Sequence, residues 1–242
     1  MSADLPPAVA IRELRFHYPG AEATLAIERF DVGVGEHVFV RGPSGCGKTT
    51  LLSLIAGVLL PSSGTVSLFG KEWRELSASR RDRLRADRVG YIFQQFNLLP
   101  YLSVLDNVLL PCGFSSARRE QAGDAGAAVR ASALRLLEQM GLEADFAARD
   151  AAALSVGQQQ RVAAARALIG RPGLVIADEP TSALDEGLRE AFMRVLLEAC
   201  ADAGSALVFV SHDARLASRF RRQVDLDKLN LAVQGRPAEE AA

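Results

Sequence analysis

At 242 residues the chain is long enough to bury a substantial core, as one large domain or a domain with a subdomain. A formal net charge of -1 gives no global reason to expect nucleic acid or an anionic membrane as partner, and 49% hydrophobic with 24% charged residues is ordinary for a soluble globular protein. Cys46, Cys112 and Cys200 are odd in number, far apart and without a C-x-x-C pair, which argues against a disulfide framework or a zinc site and fits a reducing compartment. Residues 1–7 show no basic stretch followed by an apolar core, so no signal peptide is expected. The longest apolar run, Leu51 to Leu60, is about half of what a membrane span needs.

From Val9 to Ile27 the pattern reads as β-strands with a turn at Pro19-Gly20, and another strand follows at Val38 to Val40. Next comes Gly42-Pro43-Ser44-Gly45-Cys46-Gly47-Lys48-Thr49, which matches the phosphate-loop pattern G-x-x-x-x-G-K-[ST] between a strand and the helical run Thr50 to Gly57. Glycines let backbone N–H groups curl around phosphates, and the helix N-terminus adds a field that favours anions. In such a loop Lys48 bridges the β- and γ-phosphates and the Thr49 hydroxyl holds Mg²⁺. Cys46 inside it reads as a small space-filling residue rather than a redox switch.

Pro61-Ser62-Ser63-Gly64 turns the chain into a strand at Thr65 to Phe69, and Ser79 to Asp87 reads as an arginine-rich helix. Trp73 and that helix are expected at the surface; the basic runs at 80–88 and Arg221-Arg222 read as solvated faces. After a short strand at Val89 to Phe93, residues from about Asn97 to Gly170 are rich in Ala, Leu, Glu, Gln and Arg, with helical spacing at Leu134, Leu137 and Met140 and a loose connection at Gly123 to Gly126. Buried-strand patterns return at Leu174 to Ala177 and Ala206 to Val210, with a helix from Gly187 to Ala203 between them. Strand, helix, strand in this order implies a parallel sheet with crossover helices and a helical middle inserted into an α/β core. The tail from Gly235 is expected to fray.

A phosphate loop needs a carboxylate on a neighbouring strand to support Mg²⁺, and Leu174-Val175-Ile176-Ala177-Asp178-Glu179 supplies one. Asp178 is the candidate metal support; Glu179, one residue on, is the candidate general base for the attacking water.

Leu154-Ser155-Val156-Gly157-Gln158-Gln159-Gln160-Arg161 resembles the signature of ABC-type ATPases, and the resemblance runs from about Val9 to Val233 with its motifs in order. It implies a phosphate-loop NTPase core with a parallel sheet, an N-terminal antiparallel β subdomain and an inserted α-helical subdomain at about 97–170. The whole would be one ATPase domain over 8–235 with flexible ends at 1–7 and 236–242. It further implies ATP and Mg²⁺ as cofactors and ATP hydrolysis as the activity. Tyr18 matches the aromatic stacked on adenine, and Gln94, rather than Gln95, the glutamine that senses Mg²⁺ and γ-phosphate. Ser182-Ala183-Leu184-Asp185 resembles the loop that crosses between paired subunits, and His212 the switch histidine; His17 and His37 match no such role. Residues 42–50 (Thr50 included), with Ser155, Gly157 and Gln158 of the signature, would form the nucleotide contacts.

Ser155 is a good N-cap for a helix at Gly157 to Ile169, whose N-terminus is then an anion site. The resemblance implies a head-to-tail homodimer in which this segment covers ATP held by Lys48 of the other subunit. Val156 stands where the family usually has glycine; a tolerated variant is the favoured reading, weakened closure the sharper one. The apolar stretch from Phe96 to Val108 reads as core, or, in the family, as part of the groove for a cytoplasmic helix of the membrane partner. Its wording, Phe-Asn-Leu-Leu-Pro then Asp-Asn-Val, resembles the branch serving lipoprotein release, macrolide and peptide efflux, and cell-division regulation. The implied setting is the cytoplasmic face of the inner or plasma membrane, beside a separately encoded permease and without nucleic acid. Transport and mechanotransmission both remain open on this reading, and the substrate is not encoded in this chain.

Overall fold

The computed structural model describes residues 6–20, 23–182 and 184–232. Ala183 of the crossing loop, the first five residues and everything from Val233 onward, including the expected frayed tail, lie outside the described residues. The strands are β1 (Val9–His17), β2 (Ala23–Val32), β3 (His37–Arg41), β4 (Ser63–Leu68), β5 (Lys71–Glu72), β6 (Val89–Ile92), β7 (Leu174–Asp178), β8 (Ala206–Val210) and β9 (Arg222–Asp225). The helices are α1 (Lys48–Ile55), α2 (Ala78–Arg88), α3 (Val104–Phe114), α4 (Ser116–Ala122), α5 (Gly126–Gln139), α6 (Val156–Leu168), α7 (Glu186–Ala203) and α8 (Leu226–Leu229). The class is α/β, with parallel strands and an N-terminal antiparallel sheet, as the sequence implies. Two compact units divide the chain, one within residues 1–81 and 209–242, the other within 82–208.

In the first unit, β1 pairs antiparallel with β2 and β4, in the order β2-β1-β4-β5. Strand alternation buries Val9 and Ile11, then slips: the next buried residue is Leu14. The slip is a bulge at Glu13, whose φ is 48°, and the register against β4 shifts between Arg12 and Arg15. Gly64 faces this bulge so closely that a Cβ there would lie 2.2 Å from the Glu13 carbonyl oxygen. Val38, Phe39 and Val40 of β3 are buried without alternation, as a parallel strand covered on both faces requires, and β3 pairs with β9 from Val38↔Arg222 to Arg41↔Asp225. Phe39, Phe209 and Phe220 form one aromatic cluster with centroids 5.3–6.0 Å apart.

Trp73 overturns one expectation. It is fully buried rather than superficial, and its indole N–H donates to the Ile55 carbonyl at 3.1 Å. A large aromatic with a satisfied N–H is a core residue, and it caps the end of α1. The expected arginine helix is α2, in which only Leu84 is buried.

Asn230, fully buried just after α8, closes this unit. Its Oδ1 accepts from Ala26 N at 2.8 Å, and its Nδ2 donates to Thr24 O at 3.0 Å and Cys46 O at 3.3 Å. One amide thus fastens the chain's late residues to β2 and to the loop before α1.

In the second unit β6 and β7 run parallel from Val89↔Leu174 to Ile92↔Ala177, with every residue of β7 buried. Helices α3 to α6 occupy the chain between these strands. Ser103, Ser115 and Asp185 cap α3, α4 and α7, each accepting from a backbone N–H three residues on. Asn107, fully buried, receives the Leu99 N–H at 2.8 Å and donates to the Leu99 and Ser103 carbonyls at 3.0 Å, folding the 99–103 segment onto α3. Buried Arg118 spends its guanidinium on the carbonyls of Ile169, Ala167 and Val89. Burial pulls its pKa down to about 10. A cation at the C-terminal end of α6 also meets the negative end of the helix field.

Candidate functional site

The loop after β3 turns on left-handed glycines: Gly45 has φ 79° and Gly47, the N-cap of α1, φ 98°. A Cβ at Gly47 would come within 2.7 Å of the Leu25 side chain, and one at Gly42 within 2.5 Å of Cys46 Sγ. Cys46 is buried and its thiol pKa is pushed up by burial, so it fills space, in line with the blander of the two sequence readings. Pro43, Ser44, Gly45 and Thr49 are exposed. The Lys48 ammonium donates to the Gly42 and Pro43 carbonyls at 2.9 Å each, so it lies folded back along the loop. Thr50 is buried, with its Oγ1 3.2 Å from the Tyr18 hydroxyl. Tyr18 is 43% exposed, held edge-on to Phe16 with centroids 5.0 Å apart.

His212 belongs to this same unit and is exposed just past β8. The turn that carries it is fixed on both sides: Ser211 N donates to Val40 O at 3.2 Å, and Ser211 Oγ accepts from Asp213 N at 3.1 Å.

In the second unit, Asp178 ends β7 and is 8% exposed. Gln94 is exposed, two residues beyond Ile92. Because Ile92 registers with Ala177 in a parallel pair, Gln94 and Asp178 emerge at the same end of these strands. Phe93, between Ile92 and Gln94, stacks on Tyr91 at 4.2 Å. The Tyr91 phenol pKa is raised by burial and by the Asp178 charge. Glu179 is half-buried with φ 46°, a left-handed backbone. It precedes Pro180, which normally pushes the residue before it toward extended backbone. Strain of this kind persists only where the surroundings over-determine it.

The signature segment forms a reciprocal cap. Ser155 Oγ accepts from Gln158 N at 3.4 Å, while Gln158 Oε1 accepts from Ser155 N at 2.9 Å. Val156 is the first residue of α6 and 46% exposed; a Cβ at Gly157 would make only ordinary contact with Leu184, at 3.6 Å. Asp185, of the crossing loop, is the N-cap of α7.

Two residues on α6 are given no role by the sequence, although Gln160 lies within the signature stretch. Fully buried Gln160 donates from Nε2 to the Pro180 carbonyl, one residue past Glu179. Arg166 donates to the carbonyls of Asn97, at 2.7 Å, and Phe96, beyond Gln94; burial lowers its pKa. Their signal was present: a glutamine among Val162, Ala163, Ala164 and Ala167 on a core-facing helix is a buried polar group that must find partners.

A family model described as ABC transporter matches residues 27–182. The lipoprotein-releasing system ATP-binding protein LolD 2 of Rhodospirillum rubrum is 39% identical over 225 residues, covering 91% of this chain and 94% of that protein. The macrolide export ATP-binding/permease protein MacB of Rhodopseudomonas palustris is 39% identical over 221 residues, but the chain spans only 32% of its length. Among solved structures, the dimeric post-hydrolysis state of the ATP-binding cassette MJ0796, bound to ADP and Pi, superposes with a TM-score of 0.80. It is 35% identical, with 90% of this chain and 93% of that one covered. MJ0796 is a protein of Methanocaldococcus jannaschii. The fold is that of an ATP-binding cassette. The chain belongs to the ABC transporter family. No helix among the described residues is long and apolar enough to cross a membrane.

Proposed function

We propose that this chain is the ATP-binding and ATP-hydrolysing subunit of an ABC transporter, a single cassette domain over 8–235 with its helical subdomain at about 97–170. It works as a homodimer on the cytoplasmic face of the membrane with a separately encoded permease. The observation that carries the reading is the loop at 42–49, where left-handed Gly45 and Gly47 deliver the chain into α1 at Lys48. This is backbone suited to phosphate. Each unit by itself offers an oxygen ligand of the kind Mg²⁺ takes, the Thr49 hydroxyl in one and the Asp178 carboxylate in the other. Bound MgATP would supply the phosphoanhydride bond and the charge that the cation offsets.

Within this reading Lys48 and the loop amides hold phosphate, Tyr18 offers its ring to the base, and Thr49, Asp178 and Gln94 serve the metal. Glu179 takes the proton of the attacking water, and His212 reads the γ-phosphate. Ser155, Gly157 and Gln158 present the N-terminus of α6 to nucleotide on the other subunit. The cargo in this reading is a lipoprotein, lipid, peptide or drug, moved out of or extracted from the membrane; relatives named for lipoprotein release and macrolide export support the first and last of these.

Glu179→Gln tests the chemistry: turnover is lost while ATP binding persists, and steady hydrolysis by the variant overturns the base assignment. Tagged Glu179→Gln protein with ATP, recovered from solubilised native membranes, tests the partnership. A permease with few spans and a large extracytoplasmic domain is the expected companion. Recovery of ribosomal or DNA-bound material without a membrane protein overturns the transporter reading.

A further inference from the structure

Glu179 sits in a conformation its own sequence disfavours, left-handed at φ 46° and directly before a proline. Something outside residues 178–180 must hold it there. On the C-terminal side the chain folds into successive turns, with Ser182 N donating to Glu179 O at 3.2 Å and Leu184 N to Thr181 O at 3.2 Å. On the other side a bond reaches in from a separate element, the Gln160 amide on the Pro180 carbonyl, beside other interactions made by Asp178 and Glu179. Gln160 lies one turn into α6, the helix whose first turn carries the cap formed by Ser155 and Gln158.

We propose that Gln160 is a positioning residue: its amide holds the backbone at Pro180 so that Glu179 keeps its left-handed turn, and it ties that turn to the signature end of α6. The proposal rests on the reading of Glu179 as the base. Its consequence is a link inside one chain between two different nucleotide sites. Any shift of α6 when the other subunit's nucleotide meets its N-terminus is passed through Gln160 to the glutamate of the chain's own site.

The residue's chemistry favours this over a purely structural role. Gln160 is fully buried, yet its Oε1 has no hydrogen-bond partner among the described residues. A buried amide that leaves its oxygen unmatched is a poor device for stability, and an apolar side chain of similar size would serve packing equally well. What an apolar side chain lacks is the donor to Pro180.

Gln160→Met separates the two roles. It removes one unmatched buried oxygen and leaves another at Pro180, so thermal stability is expected to change little. In the nucleotide-free protein, amide exchange at Ser182 and Leu184 is expected to quicken several-fold, because the turn after Glu179 has lost its tether. ATP hydrolysis is expected to fall at least tenfold in kcat, with the ATP dissociation constant unchanged. Wild-type kcat, or unchanged exchange at Ser182 and Leu184, would each overturn the proposal. Should Gln160→Met fail to fold, Gln160→Asn, whose shorter amide cannot span to Pro180, replaces it; loss of folding in both would make the role structural and overturn the proposal too. The single variant Glu179→Gln keeps the two failures apart: if it hydrolyses ATP normally the base assignment falls, whatever Gln160→Met does.

Discussion

Gly42 and Cys46 share one space: a Cβ at Gly42 would lie 2.5 Å from Cys46 Sγ. The glycine that opens the loop is therefore required by its neighbour as much as by any ligand. Gly42→Ala is expected to lower stability by about 2 kcal/mol through overpacking. Adding Cys46→Ala should recover most of that loss, because the sulfur it removes is the atom in the way. Urea unfolding of the two single variants and the double variant measures the coupling; simple additivity would mean the clash is relieved elsewhere.

Trp73 imposes a similar constraint on Gly57, where a Cβ would meet the indole ring at 2.5–2.7 Å and φ is +67°. Gly57→Ala combines a left-handed backbone with a collision against a ring that cannot swing away. A loss of about 3 kcal/mol is expected, read as a lower urea midpoint with an unchanged slope.

Arg118 supplies the donors for the carbonyls of Val89, Ala167 and Ile169. Arg118→Met removes a buried charge but leaves buried acceptors unmatched at the end of α6. The second effect dominates, since the charge was already compensated by three carbonyls. Destabilisation of about 2–4 kcal/mol is expected, and a thermal midpoint equal to wild type would show that these carbonyls find other donors.

The Arg41 guanidinium, hydrogen-bonded to Asp225 across the paired ends of β3 and β9, holds that carboxyl below its ordinary value of 3.8. A depressed folded-state pKa contributes stability above the ordinary value and loses it as pH falls through the depressed one. Asp225→Asn should therefore be less stable than wild type at pH 7, and the gap should close as pH drops below 3.8. A gap independent of pH would mean that shape, not charge, is lost. High salt should narrow the neutral-pH gap, because both groups are partly exposed.

What the sequence disclosed was local. The glycine spacing at 42–47, the serine before a helical run at 155, and the apolar run ending in Asp178 each act through neighbours within a few residues, and each element formed as expected. Burial that depends on distant partners was not visible. Trp73 was misplaced because the groove it fills is made by Gly57 and Ile55, in another stretch of the chain. Nothing local marks the parts played by Gln160 and Arg166, since the carbonyls they serve lie 20 and 70 positions away. The left-handed backbone of Glu179 ran against the rule for a residue before proline, so no propensity argument would have found it.

Asn230 sets an order of events in biosynthesis. Its amide fastens the Cys46 carbonyl from 184 positions downstream. A ribosome makes residues 42–49 well before Asn230, the residue that braces that loop. Long-range closures of this kind are slow relative to local ones. The growing polypeptide thus carries its phosphate-loop sequence through 184 further positions before this fastening can form.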